Sequence, residues 1–152
     1  MIVSYSLTTD NLPTIPVPHD CIIKEIRIEN QCVVFVFEDD ISDYESIAYW
    51  HPQAKSLIIR YHFTESVRYY DIYRWVKPNL SHKQGCYKFL TDGLDEKHTT
   101  LLSLTKSRLE YIDHYVGFGY DGHSVIIKLY SAAKGEIIMA GDVDVIEYEW
   151  KD

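Results

Sequence analysis

The chain has 152 residues, of which 46% are hydrophobic, 25% charged and 14% aromatic, and its net charge is −8. Residues 1–152 are read as a single domain that buries its own core, and the acidic balance argues against nucleic acid, because phosphate affinity is carried by Lys and Arg. No segment approaches the roughly 20 apolar residues of a membrane span, and the first 20 residues lack the basic start and apolar run of a signal peptide, so a cytoplasmic protein that engages no membrane is expected.

Thirteen Tyr, five Phe and three Trp, beside abundant Ile and Val, favour pleated strands over helices. Cys21, Cys32 and Cys86 are odd in number and share no metal-like spacing, which fits unpaired thiols in a reducing compartment. Residues 51–91 carry seven bases against two acids, whereas the rest of the chain sums to −13. Two acidic groups stand out: Glu38, Asp39, Asp40, Asp43 and Glu45, then Asp142, Asp144, Glu147, Glu149 and Asp152.

In chain order, 2–7 reads as a short strand, and the proline-rich 11–20 as an extended connector. The stretch 19–40, "HDCIIKEIRIENQCVVFVFEDD", reads as an antiparallel hairpin turning at Asn30-Gln31. Ile28 then pairs with Val33, Ile26 with Phe35 and Lys24 with Phe37, and Ile22, Ile26 and Ile28 join Val33, Phe35 and Phe37 on one face. A second hairpin is expected over "SIAYWHPQAKSLIIRYHF", with Pro52 at the second turn position. "VRYYDIYRW" (67–75) continues the meander, and 76–96 is the least patterned part. Residues 97–107 fit both a helical stripe and a strand, and are taken as strand. Asp121-Gly122 between apolar runs predicts a two-residue hairpin pairing Phe118 with Val125, Val116 with Ile127 and His114 with Leu129. Lys134-Gly135 then turns the chain into "EIIMAG", and "DVDVIEYEW" closes it as a last strand. The expected fold is all-β and mainly antiparallel: a sandwich or partly open barrel of hairpins with at most one helix.

His19-Asp20-Cys21 sets histidine, carboxylate and thiol side by side. Alternation in a strand puts His19 and Cys21 on one face, but a cysteine nucleophile also needs an orienting group and an oxyanion hole. An apolar strand follows Cys21, with no glycine nest or helix start, so the motif is read as structural and its thiol as inert. The seven histidines are scattered, and neither a metal nor another cofactor is expected. No phosphate loop and no nucleophile elbow occurs, and no catalytic residue is assigned. "RYHFTESVRYYDIYRW" (60–75) interleaves Arg with Tyr and Trp, a composition shared by core packing and protein-binding faces.

The 19–40 stretch, together with the terminal "VDVIEYEW", resembles small bacterial proteins of the toxin-immunity type. The resemblance implies a compact, acidic, β-rich cytoplasmic inhibitor that binds a toxin domain and performs no chemistry. A protein partner is therefore expected, met by an acidic surface at Glu38, Asp39, Asp40, Asp43, Asp142 and Asp144. The alternative is a small barrel holding an apolar or aromatic ligand, with or without enzymatic action, in which Tyr61, Tyr69, Tyr73 and Trp75 point into a cavity.

Overall fold

The computed structural model describes residues 1–6, 15–64, 70–78, 80, 84–89, 93–118 and 123–152. Among the described residues nine strands form one curled antiparallel sheet, a half-barrel. They are β1 (Ile2–Ser6), β2 (Ile23–Glu29), β3 (Cys32–Phe37), β4 (Ser56–Phe63), β5 (Asp71–Val76), β6 (Cys86–Phe89), β7 (Leu109–Phe118), β8 (His123–Ser131) and β9 (Gly135–Lys151). Helix α1 (Glu45–Ala48) is a single turn, and α2 (Leu94–Ser103) is the one longer helix among the described residues.

The 17-residue β9 organises the sheet, at about three times the usual strand length. Its C-terminal half pairs with β4 and β1, and its N-terminal half with β5 and β8. One half of the sheet (A) therefore runs β2-β3-β4-β9-β1, and the other (B) runs β6-β5-β9-β8-β7. A register shift between His62 and Phe63 marks an irregularity opposite β9 at the junction of the halves, the kind of feature that sharpens a bend. The outer strands then approach each other. Ile22 bridges Glu110, the Asp20 N–H donates to the Tyr111 carbonyl, and the Tyr111 N–H donates to the Cys21 carbonyl.

Inside the curl lies one core. Val33, Phe35, Phe37, Leu57, Ile59, Tyr61, Ile72, Val125, Ile127, Leu129, Ile137, Met139, Ile146, Tyr148 and Trp150 fill it. Alternation explains the selection: in β9, Ile146, Tyr148 and Trp150 point inward, whereas Val145, Glu147 and Glu149 do not. Leu101 of α2 and Leu104 of the 3-10 turn after it join this core, and α2 lies against β2 and β5. Its nearly buried Lys97 meets Asp71 at 3.1 Å.

The expected mainly antiparallel β architecture is what the chain adopts. The hairpin at Asn30-Gln31 forms with Ile28 opposite Val33 and Ile26 opposite Phe35, and Gln31 takes a left-handed φ of 54° at the turn. A bulge between Ile23 and Glu25 then puts Ile23, not Lys24, opposite Phe37 and into the core in place of Ile22. The second hairpin is corrected. Its turn exists, with the Ala54 N–H on the His51 carbonyl, but "SIAYW" is α1 and the turn behind it, and β4 pairs with β3 and β9. Of residues 97–107, expected as strand, all but the extended Ser107 are helical. In the β7–β8 ribbon Val116 faces Val125 and His114 faces Ile127, two residues away from the expected register. A two-residue slip leaves His114 on the inner face as expected, whereas the bulge between Tyr111 and Asp113 turns Tyr111 and Leu109 inward in place of Ile112. Asp121-Gly122 and Tyr69 lie outside the described residues.

Candidate binding surface

The HDC motif ties the outer strands of the two halves together. His19 and Asp20 form a turn, Asp20 with a φ of 65°, so strand alternation does not apply and the pair expected to share a face is split. His19 is exposed, with Nδ1 2.7 Å from the Ile112 carbonyl, whereas Cys21 is fully buried. Burial pushes the Cys21 thiol up to about 12, partly offset by a contact with Ser46. Cys32, also buried, is raised to about 11. Neither is a thiolate at neutral pH.

A second polar group lies in the core between the two halves, joining β4 to β7. Tyr61 Oη is 2.7 Å from Tyr111 Oη, which is 2.7 Å from His114 Nδ1. If Tyr61 donates to Tyr111, and Tyr111 to a neutral His114, one chain satisfies all three. Desolvation holds His114 down to about 4, against the opposing pull of Asp113, and burial raises both tyrosines. Tyr148 likewise donates to the Pro16 carbonyl. Phe35 and Phe37 pack against Tyr111, so this network sits among side chains rather than in a cleft.

The structure separates the predicted acids. Glu38, Asp39, Asp40 and Asp43 are exposed just past the end of β3, with Asp39 3.3 Å from Lys24. Asp142 accepts from Ser124 and offers its carbonyl to Thr64, while the Gln31 carbonyl accepts from Phe63. Asp142 and exposed Asp144 thus lie toward the start of β3. The length of that strand, about 17 Å at 3.3–3.4 Å per residue, divides the two groups. The three described members of the predicted ligand-binding aromatics, Tyr61, Tyr73 and Trp75, do not converge either. Tyr61 is fully buried in the core, whereas Tyr73 and Trp75 are half-buried.

Register puts Tyr73 and Trp75 on the outside of the B half, because directly opposed residues share a face. One row runs Tyr115, Ile126, Ala140; the next runs Lys128, Ile138, Tyr73; the third runs Glu110, Tyr130, Glu136, with Trp75 and Tyr87 paired alongside. Tyr115, Ile126, Tyr130 and Tyr87 are 50%, 39%, 49% and 37% exposed. Ile138, only 8% exposed yet outside the core cluster, sits at the centre of the face. Lys128 lies 5.5 Å from the Tyr115 ring centre, and the Tyr87 hydroxyl donates to Glu136 at 2.9 Å. Burial and that bond push Tyr87 up to about 12.

Tyr87, Tyr115, Ile126 and Tyr130 were not predicted as site residues. The available signal is in "HSVIIKLYS": Val125, Ile127 and Leu129 take the inner face, which leaves Ile126 and Tyr130 as large apolar groups facing out. At one end of this surface is an open groove of about 810 Å³, lined by Arg74, Trp75, Lys77, Tyr130, Lys134 and Glu136 among others.

Among the described residues, no group of three or more His, Cys, Asp or Glu is placed to hold a metal, and no helix is long and apolar enough to cross a membrane. Comparisons with protein-family models, with curated proteins and with solved structures find no match to this chain.

Proposed function

We propose that the chain is a non-enzymatic binding protein, a bacterial cytoplasmic inhibitor of the immunity type that occupies a toxin domain, and that the outer face of its B half makes the contact. The observation that carries this reading is the exposed aromatic cluster of Tyr115, Ile126, Tyr130 and Tyr87 around Ile138. Scattered exposed apolar residues need no explanation, but a contiguous aromatic face has the composition of interface anchors. The net charge of −8 adds long-range steering toward a basic partner, and Glu38, Asp39, Asp40 and Asp43 supply one concentrated part of that field. Asp142 and Asp144 act as a separate region. Free thiols at Cys21, Cys32 and Cys86 are compatible with a reducing compartment.

Pull-down from the native host, at low and at high salt, tests the reading. Capture of one stoichiometric partner, with association slowed by salt but not abolished, is expected. Capture that is lost when Glu38, Asp39, Asp40 and Asp43 are neutralised, yet survives Tyr130→Ala, would move the contact away from the aromatic face. A ligand inside the barrel draws no support from the core, which Tyr61, Phe35 and Tyr111 fill.

A further inference from the structure

We propose that the groove beside Trp75 binds a small anionic aromatic ligand. Its planar ring rests against Trp75 and Tyr130, and its carboxylate or phosphate is held by Arg74, Lys77 and Lys134. The site does not depend on the protein-binding reading.

Charge is the first argument. Three cations and one carboxylate line the groove in a chain with 23 acids against 15 Lys and Arg. That carboxylate, Glu136, is already engaged by the Tyr87 hydroxyl at 2.9 Å and Lys128 at 3.7 Å. Arg27, Arg60 and Arg108 each pair with a glutamate, so Arg74 is the one arginine among the described residues without a carboxylate partner. It donates its Nε–H to the Lys134 main-chain carbonyl at 3.0 Å, a bond that fixes the guanidinium against the turn between β8 and β9. A guanidinium positioned in this way suits planar anions, which it can grip through two donors.

Shape is the second argument. The Trp75 ring lies so close to Gly85 that a Cβ there would come within 1.9 Å of its Cζ2. Tyr87 meets the same ring edge-on at 4.9 Å. Glycine at 85 thus admits the indole and Tyr87 braces it, which leaves a positioned aromatic wall in the groove. The volume of about 810 Å³ is within the range of small-molecule sites.

Titration of the full chain, followed by the indole N–H resonance of Trp75 (assigned with Trp75→Phe), tests the site. The probes are adenosine 5′-monophosphate, indole-3-acetate, adenosine and inorganic phosphate. At least one ring-bearing anion should bind with a Kd of about 1 mM or tighter, and which of the two does so assigns phosphate or carboxylate. Adenosine and inorganic phosphate should each bind at least tenfold more weakly. Arg74→Gln should weaken binding tenfold or more, and Lys55→Gln, outside the groove, should not change it. If Arg74→Gln fails to fold, Lys77→Gln takes its place, with a loss of about threefold or more expected for this exposed cation. No binding by either anion, adenosine or inorganic phosphate binding as tightly as the better anion, or wild-type affinity in both groove variants would overturn the proposal.

Discussion

The two outer faces of the curled sheet are built on the same three-row plan and are chemically opposite. On the A half the rows are Glu25-Val36-Ile58-Glu149, Arg27-Val34-Arg60-Glu147 and Glu29-Cys32-His62-Val145. Its apolar residues are small, and each of Cys32, Val34, Val36 and Ile58 is at most 9% exposed. Long charged side chains roof them over. Arg27 and Arg60 flank Val34, Arg60 meets Glu149 at 2.9 Å, and His62 approaches Glu147 at 3.0 Å without hydrogen-bond alignment. Snorkelling stems of this kind seal apolar surface and keep the charge in water. On the B half the aromatic rings themselves are outermost. Folding alone is served by the A solution, so the B solution points to a surface kept for contact.

The largest expected effect separates these faces by binding. Replacing Tyr115 and Tyr130 together with Ala should weaken partner association about 1,000-fold, as two interface anchors of about 2 kcal/mol each would. Thermal melting should move little, since both side chains are about half exposed. A similar loss of affinity from Arg60→Ala would erase the distinction between the faces.

Acid sharpens the comparison through the interior of the B half. His114 is held down to about 4 in the fold, chiefly by desolvation, against an ordinary 6.5. Between those values the unfolded chain takes up a proton that the fold refuses. Stability is therefore full above pH 6.5 and falls as pH drops toward 4, by about 3 kcal/mol at most. On the A half Glu149 is lowered from 4.5, first by its hydrogen bond to Arg60, so its contribution is present above 4.5 and is lost as pH falls through its folded value. Urea denaturation from pH 7 to 4 should show a slope that His114→Gln flattens at its upper end and Arg60→Ala leaves in place. An unchanged slope in the His114 variant would remove the buried-histidine explanation.

Arg60→Ala itself should cost about 1–2 kcal/mol, through the lost pair with Glu149 and the uncovered Val34, read as a lower urea midpoint. The smallest effect is at the seam between the halves. Cys21→Ser should cost about 1 kcal/mol by placing a hydroxyl in a buried site and should leave binding intact. Rapid alkylation of Cys21 in the folded protein at neutral pH would contradict its inert assignment.

Local alternation made the β2–β3 hairpin legible, because Asn30-Gln31 and the Ile/Val/Phe pattern agree on one register. The bulge at Ile23 was not legible, since it answers to the closure between Cys21 and Tyr111, residues 90 apart. Residues 97–107, most of which are α2 and the 3-10 turn after it, suit a strand as well as a helix because Thr99, Thr100 and the leucines fit both. The first-turn Asp95 and Glu96 of α2, favourable near a helix N-terminus, were the local cue to the contrary. The 17 residues of β9 look like two strands in the sequence, because Gly141 and Asp142 have the character of a break. Only the four partners of β9 show why the chain continues. The same long-range pairing decided the site. Composition marked Tyr61, Tyr73 and Trp75 as one aromatic group, and pairing with β9 sent Tyr61 inward and the other two outward. It also parted the acids, which are close in charge pattern but divided by the length of β3.

The most direct measurement of the central claim is a hydrogen-exchange footprint of the partner captured from the native host, on wild type and on the Tyr115→Ala, Tyr130→Ala variant. The account predicts new protection along β7, β8 and β5, little change on β2–β3–β4, and loss of that protection in the variant. Protection centred on β3–β4 or on residues 38–43, unchanged in the variant, would contradict it.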